Sequence, residues 1–196
     1  MRIDLDLITP KQKLIIEKGL CDYQYIMNYW QVDDQDFRSV FYEFYLQSRW
    51  PVMNKNKPGN VEPYFKKLQQ VSPNDSLINI LDELKDEMEN HSYEFSLCTK
   101  LLHTRNDKVP IYDSKVRVYL SSEENVDFWW YCKGAPHDVS EREKIEHDWS
   151  ELNNWYNSFL ASDRGNQWLN WFDCNFPSNT NISNIKKIDF IIFATN

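Results

Sequence analysis

Glycine is scarce in this chain of 196 residues: only Gly19, Gly59, Gly134 and Gly165 occur, against a usual share of about 7%. Four scattered glycines cannot form G-x-G-x-x-G or a Walker A loop, which excludes phosphate-cradling nucleotide sites of those kinds. The Asn-Gly and Asp-Gly pairs of tight strand hairpins are missing too. No apolar run approaches the roughly 18 residues of a membrane span, so no membrane partner is expected. Cys21, Cys98, Cys132 and Cys174 lie far apart, with no C-x-x-C pair. No Cys/His spacing suits zinc, and neither a metal nor another cofactor is expected. Met1-Arg2-Ile3-Asp4 does not read as a signal peptide. Reduced thiols in the cytoplasm are therefore expected, and the sequons at Asn74, Asn90 and Asn181 carry no meaning there. Positive charge is in deficit as well, with 22 Lys+Arg against 30 Asp+Glu, a net −8. That balance excludes an indiscriminate polyanion binder and leaves room only for a local basic cleft.

The chain has 41% hydrophobic and 15% aromatic residues, enough for a core and too many for a disordered segment. Several stretches repeat with the helical period. Thr9-Pro10 starts a helix that Gly19 ends or bends. A second runs from Asp33 to Arg49, stopped by Trp50-Pro51, and a third from Val61 to Val71. Asp75 or Ser76 caps a stripe of Leu77, Leu81, Leu84 and Met88. Ser92 to Thr104 and the stretch after Asp113 follow. Ser140-Glu141-Arg142-Glu143 is a capping box before the stripe Ile145, Trp149, Leu152, Tyr156 and Phe159. Trp168, Trp171 and Phe172 repeat that logic. The tail Ile188 to Phe193 suits a helix or a strand equally. The expectation is all-α: residues 1–196 as a single compact domain of eight or nine helices, with two lobes around a cleft as its variant form.

Chemistry concentrates in Ser96 to Leu120, SLCTKLLHTRNDKVPIYDSKVRVYL. Lys100 and His103 lie three apart and share a helix face, and with Asp113 they are the candidate catalytic residues; an ordinary solvated edge is the plainer reading. Ten residues on from His103, an extended stretch delivers Asp113 to the start of the next helix. Backbone N–H groups and the helix dipole there favour a carboxylate, suited to holding a water or stabilising a cationic transition state. Capping alone is the plainer role.

Helix, short extended run, Asp, and a valine opening the next helix: Pro110-Ile111-Tyr112-Asp113-Ser114-Lys115-Val116 resembles this stretch of the helix-hairpin-helix DNA glycosylases. The resemblance spans about 25 residues. That family's glycine-rich hairpin has no counterpart in Tyr93-Glu94-Phe95-Ser96, and its hairpin lysine has none either. The resemblance implies an all-α fold around a cleft and a hydrolase acting on DNA, with Asp113 assisting N-glycosidic cleavage. Lys55, Lys57, Arg105, Lys108 and Lys115 would then supply the basic cleft for DNA.

Two other readings compete. Arg142 and His147 match the R-x4-H pattern of HEPN ribonucleases, although His147 lies about 200° from the stripe residue Ile145 and is expected on a solvated face. A catalytically silent interaction subunit is the other, with aromatics such as Trp129 and Trp130 reaching a protein partner. Trp50 or Trp129 stacking on an unpaired base is a further use for exposed aromatics. The acidic runs at Asp33–Asp36 and Ser122–Glu124 read as helix-end residues rather than metal sites. His91 and His137 stand alone.

Overall fold

The computed structural model describes residues 3–45, 62–87, 93–130, 136 and 138–195. Among these residues the regular structure is entirely helical. The α-helices are α1 (Pro10–Tyr29), α2 (Gln35–Tyr45), α3 (Glu62–Gln70), α4 (Leu77–Glu87), α5 (Phe95–Arg105), α6 (Ser114–Glu123), α7 (Glu141–Leu160), α8 (Asp163–Asn175) and α9 (Asn184–Thr195). Short 3-10 turns cover Leu5–Leu7 and Pro177–Asn179. The all-α expectation therefore holds. The ambiguous tail is helical, as α9. Gly19 neither ends nor interrupts α1, which runs continuously across it. Trp50, Lys55, Lys57, Met88, His91, Cys132 and His137 lie outside the described residues.

The chain divides into two compact units, Met1–Glu17 with Asp107–Asn196, and Lys18–Asn106. In the second unit α3 packs on α4 and α5, and α4 packs on α5. Its core is aromatic. Phe37 and Phe41 of α2 meet Phe65 of α3 edge-on, with ring centroids 6.2 and 5.6 Å apart. Such pairs add about 0.5–1.5 kcal/mol to the gain from burial alone. The Tyr64 hydroxyl donates to the Leu97 carbonyl at 3.0 Å, so a buried ring keeps its polar end satisfied. Helix α5 is buried over most of its circumference, from Phe95 through Thr104 apart from Ser96.

In the first unit α9 packs against α6, α7 and α8, and α7 against α8. Helix α7 begins with the expected capping box: the Ser140 hydroxyl accepts from Glu143 N–H at 3.2 Å, and Glu143 reaches back to Ser140 N–H at 2.9 Å. Its inward face is Ile145, Asp148, Leu152, Tyr156 and Phe159, all buried. The expected stripe had Trp149 in place of Asp148. Trp149 is half-buried and Asp148 fully buried, because hydrogen-bond donors from the preceding segment converge on the carboxylate. Helix α6 ends at Glu123, and two residues on Asn125 takes the left-handed φ of 57° that Asn tolerates. Val126 N–H then reaches back to the Leu120 carbonyl at 3.0 Å.

Candidate acid–base site in the first unit

The stretch before α6 is held from below. Pro110, Ile111 and Tyr112 are buried. The Tyr112 ring meets Phe128 edge-on, and its hydroxyl donates to Asp148 Oδ2 at 2.8 Å. Asp148 also accepts from the backbone N–H of Trp129 at 2.6 Å and of Trp130 at 3.0 Å. Burial pushes this carboxyl upward, while those donors and the neighbouring His147 hold it down. One carboxylate on α7 thus ties together the segment entering α6 and the segment that follows it.

At the end of this anchored stretch, Asp113 has an extended backbone and its carboxylate accepts from Lys115 N–H at 3.0 Å. It caps α6 as expected, and it remains partly exposed. Two residues on, Lys115 Nζ donates to the Phe193 carbonyl of α9 at 3.0 Å and lies 4.0 Å from the Phe193 ring centroid. The start of α6 is thereby fastened to α9.

One turn before Phe193, Asp189 is 5% exposed and Tyr156 of α7 is 1% exposed. The Tyr156 hydroxyl donates to Asp189 Oδ1. Lys186 Nζ stands 3.9 Å from Asp189 Oδ2. Burial raises the Asp189 carboxyl to about 6 despite the lowering influence of Lys186 and Tyr156, and the charge of Asp113 adds to the rise. Burial, Asp189 and, less strongly, Asp113 raise the Tyr156 phenol too.

Sequence reasoning named Asp113 and missed Asp148, Asp189 and Tyr156 as polar groups. The clue for Asp189 was available: a carboxylate inside the run Ile188 to Phe193 can be neither exposed on all sides nor buried without partners. The helical period shows only the ring of Tyr156 turned inward, not its hydroxyl donating to Asp189.

The other expected site residues fall as follows. Lys100 and His103 belong to the second unit and do not form a solvated edge. Lys100 is 6% exposed, with Nζ donating to the Tyr45 carbonyl at 2.8 Å. His103 is fully buried, its Nε2 3.0 Å from the Tyr23 hydroxyl. The cause is the burial of α5 on nearly every side, which spacing along one helix does not reveal. Arg105, also in the second unit, lays its guanidinium over the Trp30 ring, 3.5 Å from the centroid. Lys108 is exposed in the first unit. His147 is half-buried rather than solvated: it stacks on Trp129 with centroids 3.6 Å apart, and its Nδ1 lies 3.4 Å from Asp148. Arg142 Nε donates to Glu146 at 3.1 Å. Asp34 caps α2 by accepting from Phe37 N–H at 2.8 Å, as the helix-end reading of that acidic run expects.

Among the described residues, no group of three or more His, Cys, Asp or Glu side chains could hold a metal ion. No helix among them is long and apolar enough to cross a membrane. Comparison with known proteins leaves the site to speak for itself: no family model, no curated protein and no solved structure matches this chain.

Proposed function

We propose that this protein cleaves or recognises a base in DNA in the manner of a DNA glycosylase, with Asp113 as the carboxylate facing the reacting sugar. The observation that carries the reading is the placement of Asp113. It is a partly exposed helix cap at the end of a buried extended stretch, held by Tyr112 and Asp148. A carboxylate fixed in this way needs little reorganisation when positive charge develops on a sugar ring. N-glycosidic cleavage asks for that: an anion near the developing oxocarbenium ion, and a water held for attack.

Lys108 and Lys115 are the described cations of the first unit that contact DNA in this proposal. Lys100 and His103, being buried, support their own unit and do not touch the polymer.

The test is incubation of the purified chain with oligonucleotides carrying modified and unmodified bases, scoring abasic sites. Abasic product with the wild type and none with Asp113→Asn is the expected result. No abasic product across the panel, together with DNA affinity that is flat in salt, overturns the reading, since phosphate contacts release counterions and must weaken with salt.

One observation favours an interaction subunit instead. Leu7, Leu14 and Ile15 are 66, 64 and 42% exposed near the start of the first unit. Salt-insensitive self-association or protein binding that Leu14→Ser abolishes would support it.

A further inference from the structure

The Asp148 carboxylate holds more than two stretches of chain. The neighbouring His147 turns Nδ1 toward its Oδ1, at 3.4 Å. The imidazole lies on the Trp129 indole, with centroids 3.6 Å apart and planes 4° from parallel. Trp129 is fixed at both ends, its backbone N–H donating to Asp148 and its indole N–H to Asp127 at 2.9 Å. The stack therefore sets the plane of the imidazole, and the carboxylate selects which nitrogen faces inward. With Nδ1–H donated to Asp148, Nε2 carries the lone pair on the other side of the ring. Among the described residues Nε2 has no hydrogen-bond partner, and it is not covered. The His147 side chain is 24% exposed against 0% for Asp148. His103, by contrast, is fully buried.

We infer that His147 is a second chemical site of the first unit, a nucleophile that accepts an acyl group at Nε2, with Asp148 as its positioning residue. The Nε2 lone pair attacks the acyl carbon, and the bond to the leaving group breaks with its electron pair. The proton shared between Nδ1 and Asp148 offsets the positive charge that the acylated ring acquires. Water then releases the acid and restores the imidazole. At 3.4 Å the contact with Asp148 is long, as such bonds are in a site without substrate, and it tightens as charge develops on the ring. Asp148 can act in this way because it need not move: two backbone N–H groups and the Tyr112 hydroxyl already hold it. The class of substrate follows from the nucleophile. An imidazole displaces only leaving groups of modest basicity, so the donor is an activated acyl compound, such as an anhydride or an aryl ester.

The probe is diethyl pyrocarbonate, an activated acyl donor that leaves a stable carbethoxy group on imidazole. The full chain and N-acetylhistidine are labelled in one solution at a fixed pH, and peptide mass mapping gives the rate at His147. That rate should exceed the rate of N-acetylhistidine by ~10-fold or more, a modest figure beside what a positioned acid–base partner contributes. Asp148→Asn presents an amide to the ring and should bring the rate down to that of N-acetylhistidine, with folding checked by circular dichroism. A wild-type rate no higher than that of N-acetylhistidine overturns the inference, and so does a folded Asn variant that reacts as fast as the wild type. Should the Asn variant fail to fold, the wild-type comparison decides alone. No DNA enters the experiment and Asp113 is untouched, so the result stands whatever base excision shows.

Discussion

Asp148 and Asp189 are both buried carboxylates on helices of the first unit, and their surroundings differ in kind. Asp148 receives two backbone N–H groups, a tyrosine hydroxyl and a nearby histidine nitrogen. Asp189 receives one tyrosine hydroxyl, with a lysine at 3.9 Å and a second carboxylate close enough to be felt. Backbone donors are fixed before the carboxylate arrives, so Asp148 is a tie that organises chain. Side-chain partners titrate and move, so Asp189 is a group whose charge answers to its neighbours. Burial of an acid therefore does not by itself mark a functional site.

The sharpest way to break this comparison is Asp148→Ala. It strands the Trp129 and Trp130 N–H groups and leaves the Tyr112 hydroxyl its longer bond to the Trp130 carbonyl, at 3.3 Å. At about 1–3 kcal/mol for each unsatisfied buried group, partly relieved by relaxation, a loss of about 3–5 kcal/mol is expected in urea unfolding. Asp148→Asn keeps one oxygen acceptor and should lose roughly half as much. Equal, small losses in both variants would show that the tie is not structural.

Asp189 should show its difference through pH. Its folded value of about 6 lies above the unfolded value near 3.9, so the fold prefers the neutral carboxyl. Its contribution is fully present below about 3.9 and is lost as pH rises through about 6, on the order of 3 kcal/mol by linkage. Asp189→Asn carries no ionisable group, so its unfolding free energy should fall less across that window than the wild type's, by about that amount, most clearly at pH 8. A variant that falls with pH as steeply as the wild type would place the titrating group elsewhere.

Local chemistry made part of this unit legible and hid the rest. The Ser140 capping box and the Asp113 cap depend on residues within three positions of each other, so the sequence states them directly. Asp148, Lys100 and His103 depend on partners far along the chain. Trp129 donates to Asp148 from 19 residues away, and Tyr45 accepts from Lys100 across 55. Periodicity placed the α7 stripe on the correct side, but it ranks Trp149 above Asp148 because it weighs hydropathy and cannot see donors. For α5 the period gave a face where packing allows almost none. The capping box itself can be tested: Ser140→Ala should cost about 1 kcal/mol, read as a modest fall in melting temperature. A fall near zero would mean that the Glu143 arm of the box suffices alone.

The smallest expected effect on stability decides the most about function. Asp113→Asn retains a side-chain oxygen for Lys115 N–H, and Asn caps helices about as well as Asp, so stability should change by only a few tenths of a kcal/mol. Asp113→Ala removes the cap and should cost about 1 kcal/mol whatever else the residue does. Under the proposed function, base excision separates the variants in the other direction. An amide cannot stabilise a developing oxocarbenium charge or take a proton from water, so the Asn variant should be as inactive as the Ala variant despite its intact fold. If Asp113 were held only for architecture, like Asp148, activity would follow stability, and the Asn variant would work while the Ala variant weakened. An Asn variant with full activity and an unchanged melting temperature would move Asp113 to the side of the tie and remove the carboxylate from the chemistry.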